Sequence, residues 1–183
     1  MASRDTRLVW LDLEMTGLDP NTCGIIEVGI IVTGPDLRPL GEFERVIWQP
    51  EEMLQRMEPV VREMHTKNGL LDKVRASNTS LRVAEREVTS FIAEFCDLGE
   101  GILAGNSIHT DRRFLIDHMP MVDRYLHYRM VDVTSLKVLV RAWYPALVEP
   151  RKPASGHTAL ADLRSSISEL QYYRDILFRA TPG

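Results

Sequence analysis

Two carboxylates stand inside an otherwise apolar run, Val9-Trp10-Leu11-Asp12-Leu13-Glu14-Met15. Along a β-strand, side chains alternate between faces, so Asp12 and Glu14 share one face while Val9, Leu11, Leu13 and Met15 share the other. Two acids on one face of a buried strand repel each other and lose hydration. A hard divalent cation with oxygen ligands offsets both costs. The plain alternative is a strand whose acids face solvent, and Asp-x-Glu alone favours that. A metal reading therefore needs matching ligands elsewhere in the chain. Thr16-Gly17-Leu18-Asp19-Pro20 closes the strand with turn chemistry.

Length and composition narrow the setting. A chain of 183 residues with 44% hydrophobic content is expected to form one domain over 1–183, with a core from about residue 7 to 178. No apolar run reaches membrane-spanning length, and the start Met1-Ala2-Ser3-Arg4-Asp5 lacks a signal-peptide pattern. Cys23 and Cys96 fit no zinc spacing, so both are expected to be structural thiols in a reducing, cytoplasmic setting. The net charge of −4 argues against a protein that grips long nucleic acid through many phosphates, but leaves room for a local basic pocket.

The chain then divides by periodicity. Arg7–Glu14, Gly24–Thr33 and Gly41–Gln49 read as three strands joined by short turns, an antiparallel meander. Short helices are expected over Glu51–Met57, Val60–His65 and Leu70–Arg75. A longer helix, capped by Thr79 or Ser80, carries Leu81, Ala84, Val88, Phe91, Ile92 and Phe95 on one face. Strand–helix alternation follows. Ile102–Asn106 is a strand, and helices lie near Asp111–Met119 and after Pro120. Arg129–Val133 is a strand, followed by a helix bearing Leu136, Leu139, Val140 and Trp143. The last helix presents Leu160, Leu163, Ile167 and Leu170, after a polar loop over Glu149–Gly156. The expected class is α/β, with a mixed sheet flanked by helices. If the fourth strand lies parallel beside the first, the loop after Asn106 comes near Glu14, at the strand ends where such sheets carry their sites.

Further candidates come from that half of the chain. Asp111 opens a helix, where an acid also suits the helix dipole. His157 and Asp162 are five residues apart, which does not stack them on one helix face; it works if His157 lies on the loop or first turn. Asp132 is placed to cap a helix. Glu27 is near enough to approach the carboxylates but is not assigned to them. Together, Asp12, Glu14, Asp111, Asp162 and His157 suit two Mg²⁺ or Mn²⁺ ions and a proton acceptor for hydrolysis of a phosphodiester.

Six segments, LDLEMTGL (11–18), EMHTKNGL (63–70), AGNSIHTDRRFL (104–115), LHYRMVDVTSLK (126–137), RAWYP (141–145) and HTALAD (157–162), identify a resemblance over roughly 8–178. The chain resembles the oligoribonuclease family, 3′-to-5′ exoribonucleases of the DEDDh group with a ribonuclease-H-like fold. The resemblance implies that Asp12, Glu14, Asp111 and Asp162 bind two Mg²⁺ or Mn²⁺ ions and that His157 is the general base. It implies very short RNA substrates, dinucleotides included, with 5′-mononucleotides as products, and a homodimer. Leu18 matches a wedge between two bases, and His65 an aromatic that meets a base. Ser107, Arg129, Thr134 and Ser135 match positions that hold a 5′-phosphate, and Tyr128 a tyrosine that reaches the partner's site. The sequence departs from the expected pattern at Val60, Ala161 and Ser165. A DEDDh exonuclease trimming longer RNA or single-stranded DNA ends is the alternative.

Overall fold

The computed structural model describes residues 6–147 and 158–178. Five strands form one sheet: β1 (Leu8–Met15), β2 (Ile25–Thr33), β3 (Pro39–Val46), β4 (Gly101–Gly105) and β5 (Leu126–Asp132), in the order β3-β2-β1-β4-β5. β1 to β3 form the antiparallel meander, and β4 and β5 run parallel to β1. The short turns of the first third permit the antiparallel part, while the parallel strands need helical crossovers.

The helices are α1 (Glu51–Gln55), α2 (Pro59–Lys67), α3 (Leu70–Ala76), α4 (Leu81–Ala93), α5 (His109–His118), α6 (Pro120–Tyr125), α7 (Val133–Trp143) and α8 (Ala159–Leu177). Ser80 and Asp132 cap α4 and α7 through their side chains, as the sequence leads one to expect. No helix among the described residues is long and apolar enough to cross a membrane.

Two differences from the sequence reading bear on the site. The fifth strand begins at Leu126, three residues before the expected Arg129, because pairing with β4 starts at Gly101 opposite Leu126. The sheet also has a core on both faces. Val9, Leu11 and Leu13 pack with α4, α5 and α6, while Trp10, on the same face as the two acids, is fully buried with Leu163, Ile167 and Tyr173 of α8. The acids thus sit at the rim of a second core, beneath α8.

Candidate active site

β1 brings Asp12 and Glu14 to one face, as alternation requires, and pairs them with Gly29 and Glu27 of β2. α8 crosses that face. A Cβ at Gly29 would stand 2.6 Å from Ala159 Cβ, so the missing side chain lets the start of α8 settle directly on β2. Ala159 N donates to Glu27 Oε2 (3.2 Å), and Thr158 caps the helix. Three residues further along α8, Asp162 meets the acids of β1. Ligand oxygens of Asp12, Glu14 and Asp162 all lie within 4.8 Å of one another.

Asp111 arrives from the other side. β1 and β4 stay paired only as far as Trp10 and Ala104. Beyond that point the exposed edge of β1 is taken up by Asp111, whose Oδ1 accepts from Leu13 N (2.9 Å). Its place in the first turn of α5 follows from the break in pairing after β4.

The electrostatics of this cluster are one-sided. Burial raises the Asp12 carboxyl well above the usual range, and Asp111, Glu14, Asp162 and Glu27 raise it further. Burial, then Glu27, Asp162 and Asp111, push Glu14 up to about 8. Burial pushes Asp111 up to about 7, against the hydrogen bonds it accepts. Among the described residues, the charges acting on Asp12 and Glu14 are carboxylates. Clustered, largely buried carboxylate oxygens, with no ammonium or guanidinium among the described residues acting on Asp12 or Glu14, are the donor set of a hard divalent cation. The residues present fit such an ion.

Glu27 is the member that sequence reasoning set aside. It is buried, lies opposite Glu14 and is itself raised by burial. A lone acid in the β-branched run GIIEVGIIVT was its signal, but strand pairing, which is not local, decides what it faces.

The remaining sequence candidates fall into separate groups. His65 on α2 is fully buried. Its Nε2 lies 3.1 Å from Met15 O, a carbonyl that only accepts, so the ring proton is on Nε2. Nδ1 has no hydrogen-bond partner and lies 3.9 Å from Glu14 Oε2, and burial lowers the imidazole's pKa. Leu18 is 72% exposed at the tip of the turn after β1. That turn is tied down by Asp19, which accepts from Asn21 N, and by His118 Nε2, which donates to Pro20 O (2.8 Å).

Ser107, Thr134 and Ser135 gather where β4 and β5 end. Ser107 N donates to Asp132 Oδ1 and to Thr134 Oγ1, both at 3.0 Å, and the two hydroxyls are 3.3 Å apart. Ser135 is exposed in the first turn of α7. Tyr128 and Arg129 lie exposed on β5, the guanidinium 5.1 Å from the ring centre. Val60 is 73% exposed on α2, while Ala161 and Ser165 are half-buried on α8. His157 lies outside the described residues.

A five-stranded mixed sheet with buried acids gathered at its centre is the architecture of an exonuclease of the ribonuclease-H-like class. The exonuclease family model of the RNase T type matches residues 9–170. An Escherichia coli exonuclease I–single-stranded DNA complex superposes over 96% of this chain and 42% of that chain, with a TM-score of 0.75 at 12% identity. Exonuclease I from Methylocaldum szegediense superposes over 93% of this chain and 41% of its own, with a TM-score of 0.66 at 20% identity. This chain spans about two fifths of those proteins, and the likeness concerns the fold.

The sequence relatives are nearer. The oligoribonuclease of Corynebacterium glutamicum strain R is 48% identical over 187 residues, covering 100% of this chain and 85% of that protein. The oligoribonuclease of Bordetella pertussis is 44% identical over 180 residues, covering 98% and 99%. The chain belongs to the oligoribonuclease family.

Proposed function

We propose that this chain is a 3′-to-5′ exoribonuclease acting on short RNAs, dinucleotides above all, and releasing 5′-mononucleotides. The observation that carries the reading is the cluster of half-buried Asp12 and Asp162 with buried Glu14, closed by buried Asp111. These four residues would hold two divalent cations, Mg²⁺ or Mn²⁺. When bound, such ions supply charge neutralisation and activation of water for in-line displacement at phosphorus.

The chain's own residues do the rest. Trp10 and Leu163 of α8 pack in the core beside the cluster and exclude water from that side. Leu13 N holds one Asp111 oxygen, which fixes the direction of the other. His157 takes the proton of the attacking water, as the family resemblance implies. Leu18 separates the two bases, while His65, fully buried behind Glu14 and hydrogen-bonded to Met15 O, supports that side of the site from within rather than meeting a base. Ser107, Thr134, Ser135 and Arg129 receive the 5′-phosphate, which a guanidinium and hydroxyls suit. A phosphate stop at that end limits length, in keeping with a net charge of −4.

A homodimer completes the reading. β5 is an edge strand, and Tyr128 on it is 71% exposed. Trp143 of α7, 67% exposed, adds apolar surface to the same half of the molecule. Tyr128 would then serve the partner's site.

The test is single-turnover cleavage of RNAs of two, three, five and twenty nucleotides with Mn²⁺, and again with chelator. Fast, chelator-sensitive cleavage of the dinucleotide and slow cleavage of the twenty-mer are expected. Rapid trimming of the twenty-mer with the dinucleotide intact would keep the metal chemistry and replace the substrate.

A further inference from the structure

Four polar residues of α8, Asp162, Ser166, Glu169 and Tyr173, follow one another at steps of four, three and four, so they line one face of the helix. That face looks into the second core, where unpaired polar groups are costly. Ser166 and Glu169 are buried and Tyr173 is fully so. The stripe survives there because it is joined to other groups along its length. Tyr173 Oη and Lys137 Nζ of α7 both reach Glu169 Oε1 at 2.9 Å. Glu169 Oε2 accepts from Asn106 Nδ2 (3.5 Å). Asn106 Nδ2 also donates to Ser166 Oγ (2.7 Å), and Ser166 Oγ donates to Asp162 O (3.0 Å).

Asn106 is the hinge of this network. With its amide NH₂ turned to Glu169 and Ser166, its Oδ1 faces outward and accepts from Thr134 Oγ1 (3.1 Å). Thr134 Oγ1 has then spent its proton, so it accepts from Ser107 N and, in the hydroxyl pair, from Ser107 Oγ. Ser107 holds φ = 51°, a left-handed conformation that costs a non-glycine residue and needs external support. The orientation of one amide thus decides the direction of two hydroxyls.

We propose that Glu169 is a positioning residue: through Asn106 it fixes the Ser107–Thr134 hydroxyl pair and ties that pair to the turn of α8 that carries Asp162. The role in catalysis rests on the functional reading above; the positioning itself does not. A carboxylate is required because it offers acceptors in both directions. A glutamine keeps the volume but places an NH₂ against either Asn106 or the Lys137–Tyr173 pair. Its oxygen satisfies the lysine, so the NH₂ meets Asn106 donor to donor and turns its amide away from Thr134.

The experiment uses the full chain with Glu169→Gln and with the charge-balanced pair Lys137→Met/Glu169→Leu, which leaves neither a half-buried lone ammonium nor an acceptor for Asn106 in place of Glu169 if the single variant folds poorly. Amide hydrogen exchange is read at Ser107 and, as reference, at Leu11. Cleavage is measured on a dinucleotide with and without a 5′-phosphate. The expected result is exchange at least about tenfold faster at Ser107 with Leu11 unchanged. KM for the 5′-phosphorylated dinucleotide is expected to rise about five- to tenfold, with kcat within about twofold. Unchanged exchange at Ser107 in both variants, or equal acceleration at Leu11, overturns the positioning role. Faster exchange confined to Ser107 with no loss of 5′-phosphate preference leaves the positioning role standing and removes the phosphate assignment instead.

Discussion

At Asp12, burial and four neighbouring carboxylates all favour the neutral acid. Its ionised form is therefore a cost to the metal-free fold and a gain only when a cation is present. Asp12→Asn should raise the Tm of the metal-free protein by a few degrees, abolish turnover, and remove most of the Tm rise that Mn²⁺ gives the parent. Thermal scans with and without Mn²⁺ test this; a lower metal-free Tm would contradict it. His157→Ala should lower kcat by about 10²- to 10⁴-fold, the range of a lost general base, while Mn²⁺ binding by calorimetry stays near the parent's. Full activity near neutral pH would remove that assignment. The common face of Asp12 and Glu14 was legible because alternation is a local rule. The approach of Asp162 was not, since it depends on a helix landing over β2 at Gly29. Asp111 and Asp162 were distinguishable from ordinary helix-start acids only through the family motifs, and Glu27 only after strand pairing was known.

The element that assembles the site is α8, and its seat is Gly29. An alanine there would put Cβ 2.6 Å from Ala159 Cβ and 3.1 Å from backbone atoms of Ala159 and Leu160, so the helix itself has to move. Overpacking of this kind costs about 1–3 kcal/mol, which in a chain of this size lowers Tm by roughly 2–10 °C. Because Asp162 rides on the displaced helix, Gly29→Ala should also lower kcat, and Ala159→Gly in the same background should restore part of both. Full kcat in the single variant would show that α8 tolerates the shift. At this scale the sequence was most informative about the existence and order of elements. The β-branched run of β2 and the spacing of α4 are strong local signals. The start of β5 at Leu126 and the double-sided burial of β1 were hidden, because both arise from partners far along the chain. Trp10 looked like one apolar residue among several, yet it seals the acidic face against α8.

For the whole molecule, the acids imply a stability that depends on pH in the opposite sense to an ordinary ion-paired carboxylate. Glu14 is pushed up to about 8 and Asp111 to about 7, whereas unfolded carboxyls titrate near 4. Between those limits the folded state binds more protons than the unfolded state, so stability falls as pH rises. Asp19 and Glu51, held low by hydrogen bonds from Asn21 and Arg75, act in the other direction, but their contribution is already complete above about pH 5. In the window from pH 5.5 to 8 the raised carboxyls of Asp12, Glu14 and Asp111 act against the imidazole of His65, which burial holds low and whose opposing effect ends above about pH 7, where the unfolded ring is already neutral. Metal-free protein should show a Tm at pH 8 several degrees below that at pH 5.5. Mn²⁺ competes with protons for the same oxygens, so its stabilisation should be larger at pH 8. At a hundredfold excess over its Kd, that stabilisation is about 2.7 kcal/mol, or roughly 5–10 °C for this chain length. The measurement is a set of thermal melts at both pH values in chelator and in Mn²⁺. A metal-free Tm that stays flat or rises towards pH 8 would mean that these carboxyls ionise without cost in the folded protein, and the cluster would then have no need of a cation to hold it together.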